Sequence, residues 1–123
     1  MNRFLLVGLG GALGAMLRYG ISLLPWKGEF PVLTLVTNLL GAVLIGLVVG
    51  ISSNRGMGED RLLFLKTGVC GGFTTFSTFS LEAFTLFERG KTGTGSLYVV
   101  ASVGLCLLGV WTGRLLSGKI LSA

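Results

Sequence analysis

Apolar residues fall in four long runs, at about residues 4–24, 32–51, 62–87 and 97–116, with short polar stretches between them. Crossing the hydrocarbon core of a bilayer takes about 20 helical residues. Three runs match that length, and the third is several residues too long. The connectors have loop chemistry. Pro25-Trp26-Lys27-Gly28-Glu29-Phe30-Pro31 separates the first two runs, and the stretches at 52–60 and 88–96 are polar and rich in glycine. Links this short set each helix antiparallel to the one before it. Trp26, Tyr98 and Trp111 stand near run ends, where amphipathic aromatic rings favour the membrane–water interface. The pattern predicts an all-α membrane protein, with one domain over residues 1–123 and four transmembrane helices.

Composition agrees. Hydrophobic residues make up 51% of the chain and charged residues 12%, about half the charged share of a soluble domain. Mean hydropathy is +0.83. A bilayer removes the need for a polar exterior, because lipid tails solvate apolar side chains. The first run is long, rich in glycine, carries Arg18 and is followed by further runs. It therefore reads as mature structure and not as a cleaved leader.

The net charge is +5, but the ten Lys and Arg are scattered singly at the ends of runs. That spread lacks the clustered patch of a nucleic-acid binder and suits contact with anionic headgroups. With four crossings both termini share a side, which collects Arg3, Arg55, Arg61, Lys66, Arg114 and Lys119. The other side collects Arg18, Lys27, Arg89 and Lys91. Six against four is a weak bias under the positive-inside rule. It fits a chain oriented by a few dominant charges, and equally copies that insert both ways and pair antiparallel. The two cysteines, Cys70 and Cys106, lie inside apolar runs and histidine is absent. Both facts argue against a Cys/His metal site and for thiols that act as small packing residues.

Glycine is placed inside the runs. Gly10 and Gly14, Gly46 and Gly50, Gly68 and Gly72, and Gly109 and Gly113 form one small-xxx-small pair per run. Such pairs let backbones approach closely in lipid. Close helix packing is expected, extending to a second copy, since a lone four-helix bundle leaves no room for an aqueous path.

Polar groups inside a membrane are costly. Thr34, Thr37, Asn38 and Gly41 recur at i, i+3, i+4 and i+7 and share one helix face. Tyr98, Ser102, Cys106 and Gly109 share another. Each face serves either as interhelical hydrogen-bond glue or as part of a polar track. Arg18, about a turn and a half from the end of its run, either snorkels to the headgroups or puts positive charge at the mouth of an anion path.

The most informative stretch is Gly71-Gly72-Phe73-Thr74-Thr75-Phe76-Ser77-Thr78-Phe79-Ser80, in the middle of the overlong run. Two glycines followed by β-branched Thr74 and Thr75 make a poor helix interior, so a break at mid-membrane is predicted. Carbonyls freed at that depth persist only when buried in protein or coordinating something, and a bare cation suits them. Phe76 and Phe79 follow, with hydroxyls between. A phenyl ring has a positive edge, so rings set edge-on beside hydroxyl donors hold a small anion without trapping it; ordinary packing is the plainer role. Glu82 lies farther along and has no assigned mechanism. No nucleophile–base pair or metal cluster marks an enzyme.

At this decapeptide the sequence resembles the CrcB/Fluc family of fluoride ion channels. The likeness covers essentially the whole chain. It includes Gly10-Gly11-Ala12-Leu13-Gly14-Ala15 with Arg18-Tyr19, then Thr34, Asn38 and Gly41, and the stretch from Gly71 to Phe79. It implies an antiparallel, dual-topology homodimer with two pores, multi-pass in the plasma or inner membrane. It implies a structural sodium ion at the dimer centre, held by the main-chain carbonyls of Gly71 and Thr74 from both copies. Phe76 and Phe79 would line the fluoride path, Asn38 would be a polar contact, and Thr34, Ser77, Tyr98 and Ser102 would continue the track. Arg18 would stand near a vestibule. The implied role is passive export of cytoplasmic fluoride. The main rival is a proton-coupled exporter of drug cations, which needs a membrane-embedded carboxylate, and Glu82 is the one intramembrane candidate.

Overall fold

A computed structural model describes residues 2–122, whose regular structure is all helical with no strand among them. Asn2 opens α1 (Arg3–Ser22), its side-chain oxygen accepting the Phe4 N–H at 2.8 Å. That bond satisfies one of the donors a helix start leaves unpaired. The helix stops at Ser22, short of residue 24, as Leu23 and Leu24 turn toward Pro25; a residue before proline avoids helical backbone. α2 (Val32–Arg55) begins directly after Pro31 and runs past residue 51 to Gly56, whose φ of 76° suits glycine. α6 (Thr92–Ser122) starts five residues before the predicted 97, so the Thr92-Gly93-Thr94-Gly95 stretch is helical and not loop. Gly95 sits under Phe87, where a Cβ would come within 2.9 Å of the ring. α1, α2 and α6 are each long and apolar enough to cross a membrane.

The third run is divided. α3 (Glu59–Leu62) leads into a π-helix (Leu63–Cys70) and then α4 (Gly71–Phe73). Thr74 (φ −84°, ψ 157°) and Thr75 (φ −147°, ψ 113°) are extended, and α5 (Phe76–Glu88) follows. Glycine weakens the helix before the interruption, and the two β-branched residues favour extended backbone within it. Thr75 then caps α5, its Oγ1 accepting the Thr78 N–H at 3.2 Å.

Two glycine seams hold the helices together. α1 crosses the π-helix and α4 so closely that a Cβ on Gly10 would lie 2.6 Å from the Phe64 carbonyl oxygen. One on Gly14 would overlap the Val69 carbonyl and lie 2.7 Å from the Phe73 nitrogen. α2 crosses α6 in the same manner: a Cβ on Gly46 would overlap the Val110 carbonyl, and one on Gly113 the Val43 carbonyl. The glycine pairs thus bring helices of one chain together, Gly10 and Gly14 against the Gly68 and Gly72 segment, Gly46 and Gly50 against the Gly109 to Ser117 segment. The close approach they permit is used inside the protomer.

Ion pairs tie the ends. Arg3 meets Glu59 at 2.8 Å and Asp60 at 3.1 Å, and Lys91 meets Glu29. All are exposed, so each adds little stability. Arg3 therefore shares an end of the molecule with the α2–α3 connection, while the first and last connections meet at the other, as an up-and-down arrangement requires.

Candidate ion path

Polar groups from three elements converge on the interruption. In a continuous helix the Thr75 N–H would bond the Gly71 carbonyl, and the Thr78 N–H would bond the Thr74 carbonyl. Here the Thr75 N–H donates to Asn38 Oδ1 at 2.8 Å, and Asn38 Nδ2 donates to the Thr75 carbonyl at 3.1 Å. The Thr78 N–H goes to Thr75 Oγ1. The Gly71 and Thr74 carbonyls are left without their helical donors. The Gly72 carbonyl takes the Arg18 Nε–H at 3.2 Å, and the Cys70 carbonyl takes both the N–H and the hydroxyl of Thr74, at 3.1 and 2.9 Å. Arg18 comes from α1 and Asn38 from α2. The Arg18 guanidinium reaches inward to a carbonyl of α4, a bond compatible with either role left open for it.

A groove of about 440 Å³ opens beside the interruption. Asn38, Gly71, Thr74, Phe76, Phe79 and Ser102 all line it, from α2, the interrupted segment and α6. The Ser102 hydroxyl is buried and has no hydrogen-bond partner among the described residues. A serine inside a helix commonly bonds the carbonyl four residues back, and Ser102 does not. Arg18 and Thr34 line a second cavity of about 80 Å³, with Thr37, Thr75 and Thr78. Thr75 borders both.

The two phenylalanines differ in setting. Phe76 is 78% exposed on this chain and Phe79 is 8% exposed. Their ring centroids are 5.5 Å apart, inclined at 52°. Phe79 leans on Tyr98 at 5.1 Å, and Tyr98 meets Phe30 edge-to-face at 5.5 Å and 77°. Tyr98 is wholly buried and donates its O–H to Glu82 at 3.0 Å. It lines neither cavity and stands one layer behind Phe79. Ser77 also lines neither; its hydroxyl lies 3.4 Å from Thr75 Oγ1.

The sequence did not reveal the partner of Glu82. A carboxylate and a tyrosine sixteen residues apart on separate helices carry no periodic signal; the usable hint is that each is a rare polar group in an apolar run. Lys66, counted only as a topological charge, also lines the groove. Both cysteines are free thiols bordering the same groove. The arrangement offers two kinds of ligand side by side. Carbonyls without helical donors suit a cation, while phenyl rings, which carry a positive edge, and a hydroxyl donor suit an anion.

Residues 5–114 match the family described as "CrcB-like protein, Camphor Resistance (CrcB)". The chain is 50% identical over 117 residues to "Fluoride-specific ion channel FluC" of Rhizobium meliloti, covering 92% of this chain and 94% of that one. It is 43% identical over 123 residues to the protein of the same name from Thermus thermophilus, covering 98% of each. A third of that name, from Ruminiclostridium cellulolyticum, is 47% identical over 120 residues, or 94% of this chain and 92% of that one.

Proposed function

Because the chain belongs to the CrcB-like family, whose named relatives are fluoride channels and not enzymes, we propose that this multi-pass membrane protein is a passive, fluoride-selective ion channel. The working unit is an antiparallel homodimer in which each chain crosses the membrane four times, the interrupted third span included. A second copy closes the open groove, giving two pores.

The observation that carries the reading is the buried, unpartnered Ser102 hydroxyl on a groove that Phe76 and Phe79 also line. An unsatisfied buried donor costs about 1–3 kcal/mol, and a desolvated anion is the ligand it lacks. Fluoride is small and strongly hydrated, so its path must replace water at each step without a full ion pair that would hold it. Ring edges, Ser102 and the spare N–H of Asn38 are weak donors of this kind. Thr34 and Arg18 around the smaller cavity supply an approach, and Thr75 links that cavity to the groove. Ser77 stands at the rim beside Thr75. Tyr98 fixes the Phe79 ring from behind and does not meet the ion.

A structural sodium ion fits the same geometry. The Gly71 and Thr74 carbonyls have lost their helical donors and border the groove that the second copy covers. Two such carbonyls from each chain give an all-oxygen set for a hard cation. A cation held there would offset the negative ends of carbonyl dipoles that lack hydrogen-bond donors. Replacing sodium with a bulky organic cation is expected to weaken the purified dimer, read by light scattering; a dimer equally stable in both salts would remove the ion from the reading.

The direct test is fluoride release from liposomes containing the purified protein, followed with a fluoride electrode beside chloride-loaded vesicles. Rapid fluoride loss with little chloride loss is expected. A drug-cation exporter predicts that Glu82→Gln abolishes transport. Here the substituted amide would still accept the Tyr98 O–H, and transport is expected to survive. Intact, dimeric protein that releases no fluoride would overturn the proposal.

A further inference from the structure

Asn38 lines the groove, yet its carboxamide already has work to do. Its oxygen accepts from the Thr75 N–H and its nitrogen donates to the Thr75 carbonyl, at 2.8 and 3.1 Å. A carboxamide has the donor and acceptor set of a peptide group, so α2 supplies Thr75 with the pair of bonds a neighbouring strand would supply. The Thr75 N–H is also the group that a continuous helix would direct at Gly71. Asn38 and the Gly71 carbonyl therefore compete for one hydrogen.

We propose that Asn38 is a positioning residue: by holding Thr75 at both backbone groups it keeps the third span interrupted and the Gly71 carbonyl unbonded, so that sodium retention depends on a side chain that does not touch sodium. The sodium part rests on the site proposed above; the interruption itself does not. Other bonds support the break, but none competes for the same hydrogen. Arg18 takes the Gly72 carbonyl, and Thr75 Oγ1 takes the Thr78 N–H only once Thr75 is extended. With Asn38 gone, Thr75 can return its N–H to Gly71 and the span can close into helix. Closure changes the rise of two residues from about 3.3 Å to about 1.5 Å each, shortening the segment by about 4 Å.

The carboxylic acid variant separates positioning from lining. Ionised, the Asn38→Asp side chain accepts from the Thr75 N–H but has nothing to donate to the Thr75 carbonyl. Protonated, it has one acceptor and one O–H donor, which restores both bonds. It still lacks the spare N–H of the native amide. Charged groups on other elements that border the two cavities are Lys66, which shares the groove with Asn38, and Arg18, which shares the smaller cavity with Thr75, while Glu82 is held behind Phe79 by Tyr98. The thiols of Cys70 and Cys106 also border the groove and are removed in the test.

The experiment places spin labels on Thr67→Cys and Phe84→Cys, on either side of the interruption, in full-length chain with Cys70→Ala and Cys106→Ala. Labelled chain is diluted with unlabelled chain so that each dimer carries one pair. The label distance and the sodium midpoint for dimer stability are measured for the otherwise native chain, Asn38→Leu and Asn38→Asp across pH. We expect Asn38→Leu to contract by about 4 Å and to need at least tenfold more sodium at every pH. Asn38→Asp, whose carboxyl group accepts the Thr75 N–H whether ionised or protonated, should keep the native distance at neutral pH and in acid. An unchanged distance in Asn38→Leu would overturn the proposal, as would a contracted distance in Asn38→Asp. A contraction with no change in sodium midpoint would leave Asn38 as the span's positioning residue and defeat the sodium site at Gly71 instead. Should Asn38→Leu fail to fold, Asn38→Ala, which likewise offers the Thr75 N–H no acceptor, is read in its place.

Discussion

Replacing Gly14 with alanine tests whether the α1 seam positions the ion path or merely packs the bundle. The added Cβ would overlap the Val69 carbonyl and lie 2.7 Å from the Phe73 nitrogen and 3.0 Å from the Gly72 carbonyl carbon. Every obstacle is backbone, so no side chain can swing aside. Restoring ordinary contact at about 3.5 Å requires α1 and α4 to part by about 1 Å. Arg18 lies one turn beyond Gly14, and its bond to Gly72 is already 3.2 Å long. Separation of that size takes it past the reach of a hydrogen bond. Overpacking costs about 1–3 kcal/mol, and losing a bond to a charged donor adds about 1.5 kcal/mol or more. Alanine's helix preference offsets about 1 kcal/mol. The expected net loss is about 2–3 kcal/mol, with a marked fall in fluoride flux. Thermal unfolding in detergent and the electrode assay on liposomes measure both. Gly104→Ala is the control, since a Cβ there meets nothing within 4 Å, and it should be neutral or slightly stabilising. If Gly14→Ala unfolds and conducts like Gly104→Ala, the seam does not position Arg18 and the reasoning fails.

Phe76→Ile should suppress fluoride flux while leaving the melting temperature of the chain almost unchanged, because that ring is largely exposed. Phe79→Ile should suppress flux and also lower stability by about 1–1.5 kcal/mol, since its ring packs on Tyr98; equal melting of the two variants would contradict their different settings. Tyr98→Phe removes the donor that Glu82 accepts and should destabilise the protein by about 1–3 kcal/mol, seen as a lower melting temperature that Glu82→Gln does not share.

Period and composition carried the reading a long way where the signal was local. The excess length of the third run, two adjacent glycines and two β-branched threonines pointed to an interruption, and the extended residues are Thr74 and Thr75. Spacing put Asn38 on a polar face. It could not supply Asn38's partner, because Thr75 lies 37 residues away and only helix packing brings them together. Glu82 and Tyr98 were opaque for the same reason. The partner of Arg18 was hidden in the same way, since a side chain at a helix end was weighed against water and lipid but not against a carbonyl on another helix. The glycine pairs were legible as contact surfaces, but their partners were not, for small residues mark where backbones can meet without marking which backbone arrives. The start of α6 was hidden by the glycines and threonines of its first turn, which read as loop until Phe87 packs over Gly95.

The interruption also bears on how the chain is made. A membrane segment with unbonded backbone groups enters lipid at considerable cost. Arg18 and Asn38, which bond the Gly72 carbonyl and both backbone groups of Thr75, belong to the first two helices. In the four-span reading proposed above, those helices emerge before the third segment does, so its polar middle can leave the insertion machinery into contacts already waiting. Glu82 has no such provision, because Tyr98 follows it in the chain. The order of elements thus lets the most costly part of the fold be completed from the N-terminal side, and leaves α6 to bring in the partner that Glu82 still lacks.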